Sequence, residues 1–152
     1  MAWVSARDGL YLEPDLESAM DYLKEGKIVN SAGEGKCGYT TRRELSYAYL
    51  KLTTNDSHDG KSVNLCMQPI TQQELADAFN DVYGWNLTYE AVDIQAYTQK
   101  RISALGPEFG AIIGGIYEAM YWGDYDVVSD YESIVGRTHQ TTSAFLRSHL
   151  SV

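Results

Sequence analysis

Apolar residues recur at helical spacing along much of the chain. Residues 41–52 carry Leu45, Ala48, Tyr49 and Leu52, an i, i+3, i+4, i+7 stripe that predicts an amphipathic helix capped by a threonine. The same periodicity predicts helices at residues 16–23, 94–105, 109–120, 130–135 and 142–150. The chain is therefore predicted to be rich in helix.

The strongest local pattern is a capping box. In Thr71-Gln72-Gln73-Glu74 the Thr71 hydroxyl accepts from the Glu74 amide, while the Glu74 carboxylate reaches back to the Thr71 amide. Apolar residues then follow at helical spacing, and Gly84 suits the left-handed position that ends a helix. A helix is predicted between these two signals.

Alternation of apolar and polar residues predicts short strands at residues 27–30, 61–67 and 87–92, with strand-like apolar content also at Trp3 and Val4. Strands and helices alternate up to about residue 92, and the remainder is helical. Three short strands are too few for a parallel sheet that helices cover on both faces. The sequence therefore predicts one partial α/β domain, with an α/β portion at residues 1–92 and a helical portion at 93–152.

Composition and charge exclude several classes of function. The 152 residues are 44% apolar and include 12 Lys and Arg against 21 Asp and Glu, so the net charge is −9, which opposes binding to nucleic acid. The longest nearly uncharged run, residues 109–117, is too short to span a bilayer, and no N-terminal segment has the pattern of a signal peptide. We expect a cytoplasmic protein without a nucleic-acid or membrane partner.

The two cysteines give no evidence of a metal site or a disulfide. Cys37 and Cys66 lie in unrelated contexts without the C-x-x-C spacing. Each is expected to be a small buried apolar residue.

Gly33, Gly35 and Gly38 match G-x-G-x-x-G, the pattern of a dinucleotide-binding loop. That loop requires a strand directly before it and a helix opened by the third glycine. Here residues 39–41 separate Gly38 from the predicted helix. A tight turn leading into the helix is the favoured interpretation.

Other catalytic patterns are equally weak. Tyr47 and Lys51 fit Y-x-x-x-K, but no serine and glycine loop precedes them, so a surface lysine and a half-buried tyrosine are favoured. The three histidines have no partner at i+4, and the acidic residues around Trp122 lack a calcium-loop pattern. The catalytic residues stay unknown and no metal site is predicted.

The helical half is rich in aromatic residues close to small ones. Phe109, Tyr117 and Tyr121 lie near several glycines, so they could line an apolar pocket for a flat ligand. Plain core packing is the alternative, and the sequence leaves both open.

Six motifs occur in an order that resembles one family. They are residues 7–13 (RDGLYLE), 33–36 (GEGK), 41–45 (TRREL), 60–61 (GK) leading to 70–76 (ITQQELA), 83–85 (YGW) and 134–137 (IVGR). In this order they resemble the C-terminal half of the NmrA-like atypical short-chain dehydrogenases, and within them the NAD(P)H:quinone reductase type. The likeness implies the C-terminal part of an NAD(P)-binding Rossmann-like fold, with a few short strands and a mostly helical substrate-binding region.

The resemblance also implies a cofactor site. In the quinone reductases the segment that matches residues 7–13 lies along the nicotinamide side of the cofactor, which nominates Asp8, Gly9, Leu10, Tyr11 and Glu13. Asp8 and Pro14 stand where the family commonly has asparagine.

Arg42 falls where the family often has an arginine near the cofactor, and a guanidinium suits a phosphate or carboxamide partner. The family's glycine fingerprint lies at the N-terminus of the full protein, and the resemblance implies that this chain lacks it. The chain alone is therefore not expected to bind NAD(P)H tightly.

Three functions follow from these expectations. The first is the substrate-binding portion of an NAD(P)H-dependent oxidoreductase that passes a hydride to a quinone or similar small acceptor, with residues 94–125 covering the acceptor pocket. The second is a non-catalytic NAD(P)-sensing or regulatory module, or a truncated inactive product, that pairs with itself or with a separate Rossmann chain. The third is a stand-alone α+β domain whose likeness to this family is superficial.

Overall fold

The computed structural model describes residues 3–150, which form an α/β structure as the sequence predicts. The helices are α1 (Glu13–Glu17), α2 (Ala19–Glu25), α3 (Arg42–Thr54), α4 (Gln72–Tyr83), α5 (Ile94–Leu105), α6 (Pro107–Tyr121), α7 (Tyr131–Val135) and α8 (Thr142–Arg147), with a 3₁₀ turn at Asp56–His58. The strands are β1 (Val4–Asp8), β2 (Leu10–Tyr11), β3 (Lys27–Asn30), β4 (Lys36–Cys37), β5 (Tyr39–Thr40), β6 (Lys61–Leu65), β7 (Ile70–Thr71) and β8 (Thr88–Ala91). No helix within these residues is long and apolar enough to cross a membrane.

The strands pair in twos. β1 runs parallel to β6, from Val4 opposite Lys61 to Asp8 opposite Leu65. β2 is parallel to β5 and β3 is parallel to β8, whereas β4 and β7 are antiparallel. The parallel pairs need crossover connections, which the helices between them supply. β1 ends at Asp8, and the chain reaches α1 after the short strand β2.

The predicted helix caps are confirmed. The Thr71 hydroxyl accepts from the Glu74 amide at 3.1 Å, and the Glu74 carboxylate accepts from the Thr71 amide at 2.7 Å. Thr41 caps α3 by accepting from the Glu44 amide at 3.2 Å. Gly84 ends α4 with φ of 71°. Local chemistry of this kind fixes helix ends without tertiary contacts.

The first predicted helix is broken in two at Ser18. The Ser18 amide donates to Pro14, and Ser18 separates α1 from α2. Met20, which together with Leu16 and Leu23 forms the apolar spacing of the predicted helix, is 68% exposed. Ala19 is buried in its stead. The spacing correctly predicted helical structure at residues 16–23, but it did not predict the break at Ser18.

The core has two parts. The larger one surrounds α4 and contains Phe79, whose ring packs against Tyr22, Tyr83 and Trp85. The smaller one lies between α3, α7, β1 and β6 and has Tyr131 at its centre. Both predicted buried cysteines lie in the interior, are free, and have thiol pKa values raised by burial.

A partly buried ion pair closes the smaller core. The Arg137 guanidinium donates to Glu44 Oε2 at 2.8 Å and to Oε1 at 3.1 Å, and the Tyr131 hydroxyl donates to the same carboxylate. Burial alone would raise the pKa of Glu44, but the hydrogen bonds from Arg137 and Tyr131 outweigh it and hold the pKa below its usual value. This cluster joins the start of α3 to the end of α7.

The α5–α6 hairpin packs through glycine. A Cβ on Gly110 would lie 2.3 Å from the Ile102 Cα, and one on Gly114 would lie 2.4 Å from the Thr98 hydroxyl oxygen. The two helices therefore approach closely along this line. These glycines serve helix packing, and they do not clear space for a ligand ring.

Candidate functional site

A cavity of about 700 Å³ lies between the strand ends and the last long helices. Its walls are the turn after β1, the helices α1 and α2, the strand β3, and the facing surfaces of α5 and α6. The volume lies in the range of small-molecule sites. The cavity is therefore large enough for a compact organic ligand.

Six of the nine predicted site residues meet in this cavity. Asp8, Gly9, Leu10 and Tyr11 line it from the turn after β1, and Phe109 and Tyr117 line it from α6. Residues 8–11 were nominated only by the family resemblance, whereas Phe109 and Tyr117 came from the aromatic pattern. Two separate lines of reasoning therefore converge on one cavity.

The other three predicted residues lie elsewhere. The Glu13 carboxylate accepts from the Arg42 backbone amide at 2.8 Å, and the Arg42 side chain is exposed at the start of α3. Tyr121 packs against Gly33 and meets the Trp122 ring edge-on, with 5.0 Å between ring centroids. None of the three is among the residues that line the cavity.

The Gly33, Gly35 and Gly38 pattern forms a turn and close packing, as favoured from the sequence. Gly33 has φ of 57°, and a Cβ on Gly35 would lie 2.0 Å from the Met120 carbonyl oxygen. Gly38 lies between β4 and β5 and does not open a helix. Protein atoms fill the space that a pyrophosphate would need.

Asp8 is held at the cavity wall by α3. The Tyr49 hydroxyl donates to both of its carboxylate oxygens, at 2.8 Å and 2.9 Å. Burial, and then the hydrogen bond to Asp8, raises the pKa of Tyr49 to about 12. Tyr49 therefore remains the donor at neutral pH and fixes the direction of the Asp8 side chain. Its position in the α3 stripe had suggested a core residue, yet its side chain is exposed.

Asp15 is a cavity residue that sequence reasoning missed. It lies in the first turn of α1, where acidic residues are common at helix starts, and that position alone does not indicate burial. In the structure Asp15 is only 5% exposed, and the Tyr22 hydroxyl donates to its Oδ1 at 2.8 Å. Burial raises the pKa of Asp15 to about 6, against the lowering effect of the Tyr22 hydrogen bond. It is a carboxyl that changes charge near physiological pH.

Aromatic rings and one arginine form the opposite wall. Tyr97 on α5 and Tyr117 on α6 meet edge-to-face, with ring centroids 5.2 Å apart. The Arg101 guanidinium carbon lies 4.8 Å from the centre of the Tyr97 ring, and its Nε is buried without a hydrogen-bond partner in residues 3–150. The wall is thus apolar with polar tips, which suits a flat ring ligand.

The weaker sequence patterns stay outside the cavity. Tyr47 and Lys51 lie on the exposed face of α3, where Arg137 covers the Tyr47 ring at 5.0 Å. A second cavity of about 630 Å³ includes His139, which contacts the Thr40 hydroxyl at 3.0 Å, but no predicted site residue. Residues 3–150 contain no group of three or more side chains arranged to hold a metal ion.

The fit to a dinucleotide is partial. Residues 8–11 offer a turn and backbone groups beside a ring-sized cavity, which fits a nicotinamide. A pyrophosphate needs backbone amides at a helix start. At the start of α3 two of these amides already have acceptors, since the Arg42 amide donates to the Glu13 carboxylate and the Glu44 amide donates to the Thr41 hydroxyl. The Glu13 carboxylate at the start of α3 also places a negative charge where a phosphate would need to bind.

Comparison with known proteins gives one weak sequence relative. No family model matches the chain. Over 85 residues, 55% of this chain, the sequence is 31% identical to quinone oxidoreductase 2 of Escherichia coli strain K12, and the match covers 30% of that protein.

Solved structures resemble nearly the whole chain. An NADPH-dependent quinone oxidoreductase from Escherichia coli, complexed with NADPH, superposes with a TM-score of 0.87 and 24% identity over 99% of this chain and 54% of that one. The Citrobacter sp. triphenylmethane reductase, complexed with NADP(H), superposes with a TM-score of 0.81 and 27% identity over 97% of this chain and 53% of that one. The chain spans about half the length of these two proteins.

These comparisons confirm the predicted resemblance. The fold is that of the NAD(P)-binding, Rossmann-like reductases, and the likeness to the NmrA-like quinone oxidoreductase type that the motif order predicted holds in three dimensions.

Proposed function

We propose that this chain is the acceptor-binding portion of an NAD(P)H-dependent oxidoreductase, and that the acceptor is a quinone or a similar small molecule. One observation carries the proposal. The segment that the family resemblance assigns to the nicotinamide side, residues 8–11, shares a single cavity with the aromatic face of α6. A hydride donor and a flat acceptor could therefore lie side by side.

The cavity provides positioning more than covalent chemistry. The cofactor, when bound, supplies a hydride, and the quinone takes up that hydride and a proton to become a hydroquinone. Gly9 and Leu10 would contact the nicotinamide, and Tyr97 and Tyr117 would enclose the acceptor ring.

The phosphates of the cofactor would be bound by residues other than those described. The Glu13 carboxylate occupies the Arg42 amide at the start of α3, and its negative charge opposes a phosphate there. We propose that a Rossmann portion, in the same protein or in a separate chain, completes the cofactor site. A second copy of this chain is the other partner that the sequence suggested.

The first experiment measures acceptor binding by the chain itself. Ile113 lines the cavity, whereas Ile112, its neighbour on α6, is 59% exposed and lies outside it. We expect Ile113→Trp to fill the cavity and weaken binding of dimethylnaphthoquinone at least about tenfold, because the ring loses its space. Ile112→Trp is the matched control and is expected to leave binding unchanged.

The second experiment measures turnover. NADPH oxidation is followed with dimethylnaphthoquinone as acceptor, with the chain alone and with the Rossmann portion added. We expect oxidation only when both are present, and less of it with Ile113→Trp. Quinone binding without any NADPH oxidation in the complete assembly would instead favour a non-catalytic sensing or regulatory module.

A further inference from the structure

Asp15 is a buried acid on the wall of the proposed acceptor cavity. Its side chain is 5% exposed, and its one hydrogen bond within residues 3–150 comes from the Tyr22 hydroxyl to Oδ1. A protonated carboxyl carries its hydrogen on one oxygen. Since Oδ1 already accepts from Tyr22, Oδ2 is the oxygen left to carry that hydrogen.

The ionisable groups nearest to Asp15 are neutral. They are Tyr22 from α2, Cys37 from β4, Tyr39 from β5, Tyr97 from α5 and Tyr117 from α6. Burial raises the pKa of each of these groups, so none of them ionises near neutral pH. The immediate surroundings of Asp15 therefore contain no compensating charge.

The charged groups on the cavity wall do not pair with Asp15 either. They are Asp8 from the end of β1, Asp21 and Glu25 from α2, Lys27 from β3, and Lys100 and Arg101 from α5. Lys27 is bound to Glu90 at 2.5 Å, and Arg101 lies over the Tyr97 ring. None of the ion pairs formed in residues 3–150 includes Asp15. A buried carboxyl without a cationic partner favours its neutral form.

A neutral carboxyl is a hydrogen-bond donor. A quinone is an uncharged ring whose polar atoms are carbonyl oxygens, which only accept. The ionised form of Asp15 has no hydrogen to donate and would bring the unpaired carboxylate oxygen Oδ2 against that carbonyl. Recognition of such a ligand and protonation of Asp15 are therefore linked.

We propose that Asp15 is the residue that recognises the acceptor, by donating a hydrogen bond from its protonated Oδ2 to a carbonyl oxygen of a neutral ring ligand, with Tyr22 holding Oδ1. This rests on the proposed acceptor-binding function and deepens it, because it names the side chain that donates to the acceptor's carbonyl oxygen and the protonation state that this requires. No hydride transfer is needed for the recognition step.

The test is the pH dependence of binding by this chain. Dimethylnaphthoquinone is the probe, since its methyl groups block addition of thiols, and its dissociation constant is measured by calorimetry between about pH 5 and about pH 8. With the pKa of Asp15 at about 6, we expect the affinity to fall about a hundredfold over this range as the donor is lost. Dimethylnaphthalene, which has the same rings and no carbonyl, should show no such fall.

Substitutions separate recognition from structure. In Asp15→Asn the side-chain amide can still donate and cannot ionise, so binding should persist with no pH dependence. Asp15→Leu removes the donor and should bind weakly at every pH. Tyr22→Phe removes a hydrogen bond that stabilises the ionised form, so the fall in affinity should move to higher pH. Glu17→Gln, at an exposed carboxylate of α1 that does not line the cavity, is the matched control and should leave the pH dependence as in the unsubstituted chain.

Two results would overturn the inference. One is a dissociation constant for the quinone that does not change with pH, or that is the same in Asp15→Leu as in the unsubstituted chain. The other is a preference for the cationic ring methylquinolinium that strengthens above about pH 6, since this would make the ionised carboxylate the recognition group. The proposed function and this inference can fail separately. Quinone binding that depends on pH, without NADPH oxidation, would support the inference and contradict the proposed function. NADPH oxidation that is unchanged by substitutions at Asp15 would support the proposed function and contradict the inference.

Discussion

Replacing Asp15 by asparagine is expected to stabilise the fold by an amount that grows with pH. Burial raises the pKa of Asp15 from 3.8 to about 6, although the Tyr22 hydrogen bond lowers it. Between these values the folded protein keeps a proton that the unfolded chain releases. The free energy of unfolding therefore falls as pH rises through this window, and the loss is complete above about pH 6.

The magnitude follows from the shift. At ~1.4 kcal/mol per pKa unit, the shift costs the fold roughly 3 kcal/mol near neutral pH and about half of that near pH 5. Asparagine has no charge to desolvate, and its side-chain oxygen can accept from Tyr22. The variant should therefore recover most of this cost at neutral pH, where ionised Asp15 is least favourable.

The assay is urea unfolding, followed by circular dichroism, of the unsubstituted chain and of Asp15→Asn from about pH 5 to about pH 8. It starts above the isoelectric point of about 4.7, where the net charge supports solubility. Asp21→Asn, at an exposed carboxylate of the same wall, is the matched control and should change the free energy of unfolding by less than about 0.5 kcal/mol. The reasoning would be refuted if the gain in free energy of unfolding on Asp15→Asn were no larger at neutral pH than at about pH 5.

Three further substitutions test the parts of the fold that position the cavity, each by urea unfolding at neutral pH. Arg137→Ala leaves the buried Glu44 carboxylate with only the Tyr131 hydroxyl as side-chain donor. Because Arg137 is 45% exposed, we expect the free energy of unfolding to fall by about 2 kcal/mol, which is less than for a fully buried pair. An unchanged stability would show that water replaces the guanidinium at no cost. Gly110→Ala places a Cβ against the α5 backbone and should destabilise the protein by about 2 kcal/mol or more. Gly115→Ala, on the same helix, meets open space and should stabilise it by about 0.5 kcal/mol. Equal effects at the two positions would contradict the close packing of α5 and α6. Thr71→Ala removes the capping box of α4 and should cost about 1 kcal/mol, with a smaller cost for Thr71→Ser.

The sequence alone determined several helix ends and the order of the longer elements. The capping box at Thr71, the cap at Thr41 and the left-handed Gly84 depend on hydrogen bonds between residues within four positions of each other, so local sequence is sufficient to predict them. The strand at Lys27–Asn30 and the helix at Ile94–Leu105 were likewise predicted with the bounds that the structure gives. The order of the six motifs indicated the resemblance to the quinone reductases, because six motifs in one order are more specific than any one of them.

Tertiary structure decided which residues form the site. Asp15 is buried, and the groups that interact with it include Tyr39 on β5 and Tyr117 on α6, which come far later in the chain, so no local pattern reports these contacts. The same is true of Tyr121, which shares the aromatic character of Tyr117 but lies one turn further along α6 and packs on Gly33 outside the cavity. The sequence determined the residue types and their local conformation, whereas the desolvation that changes the pKa of Asp15, and the cavity that it lines, exist only once distant segments have packed together.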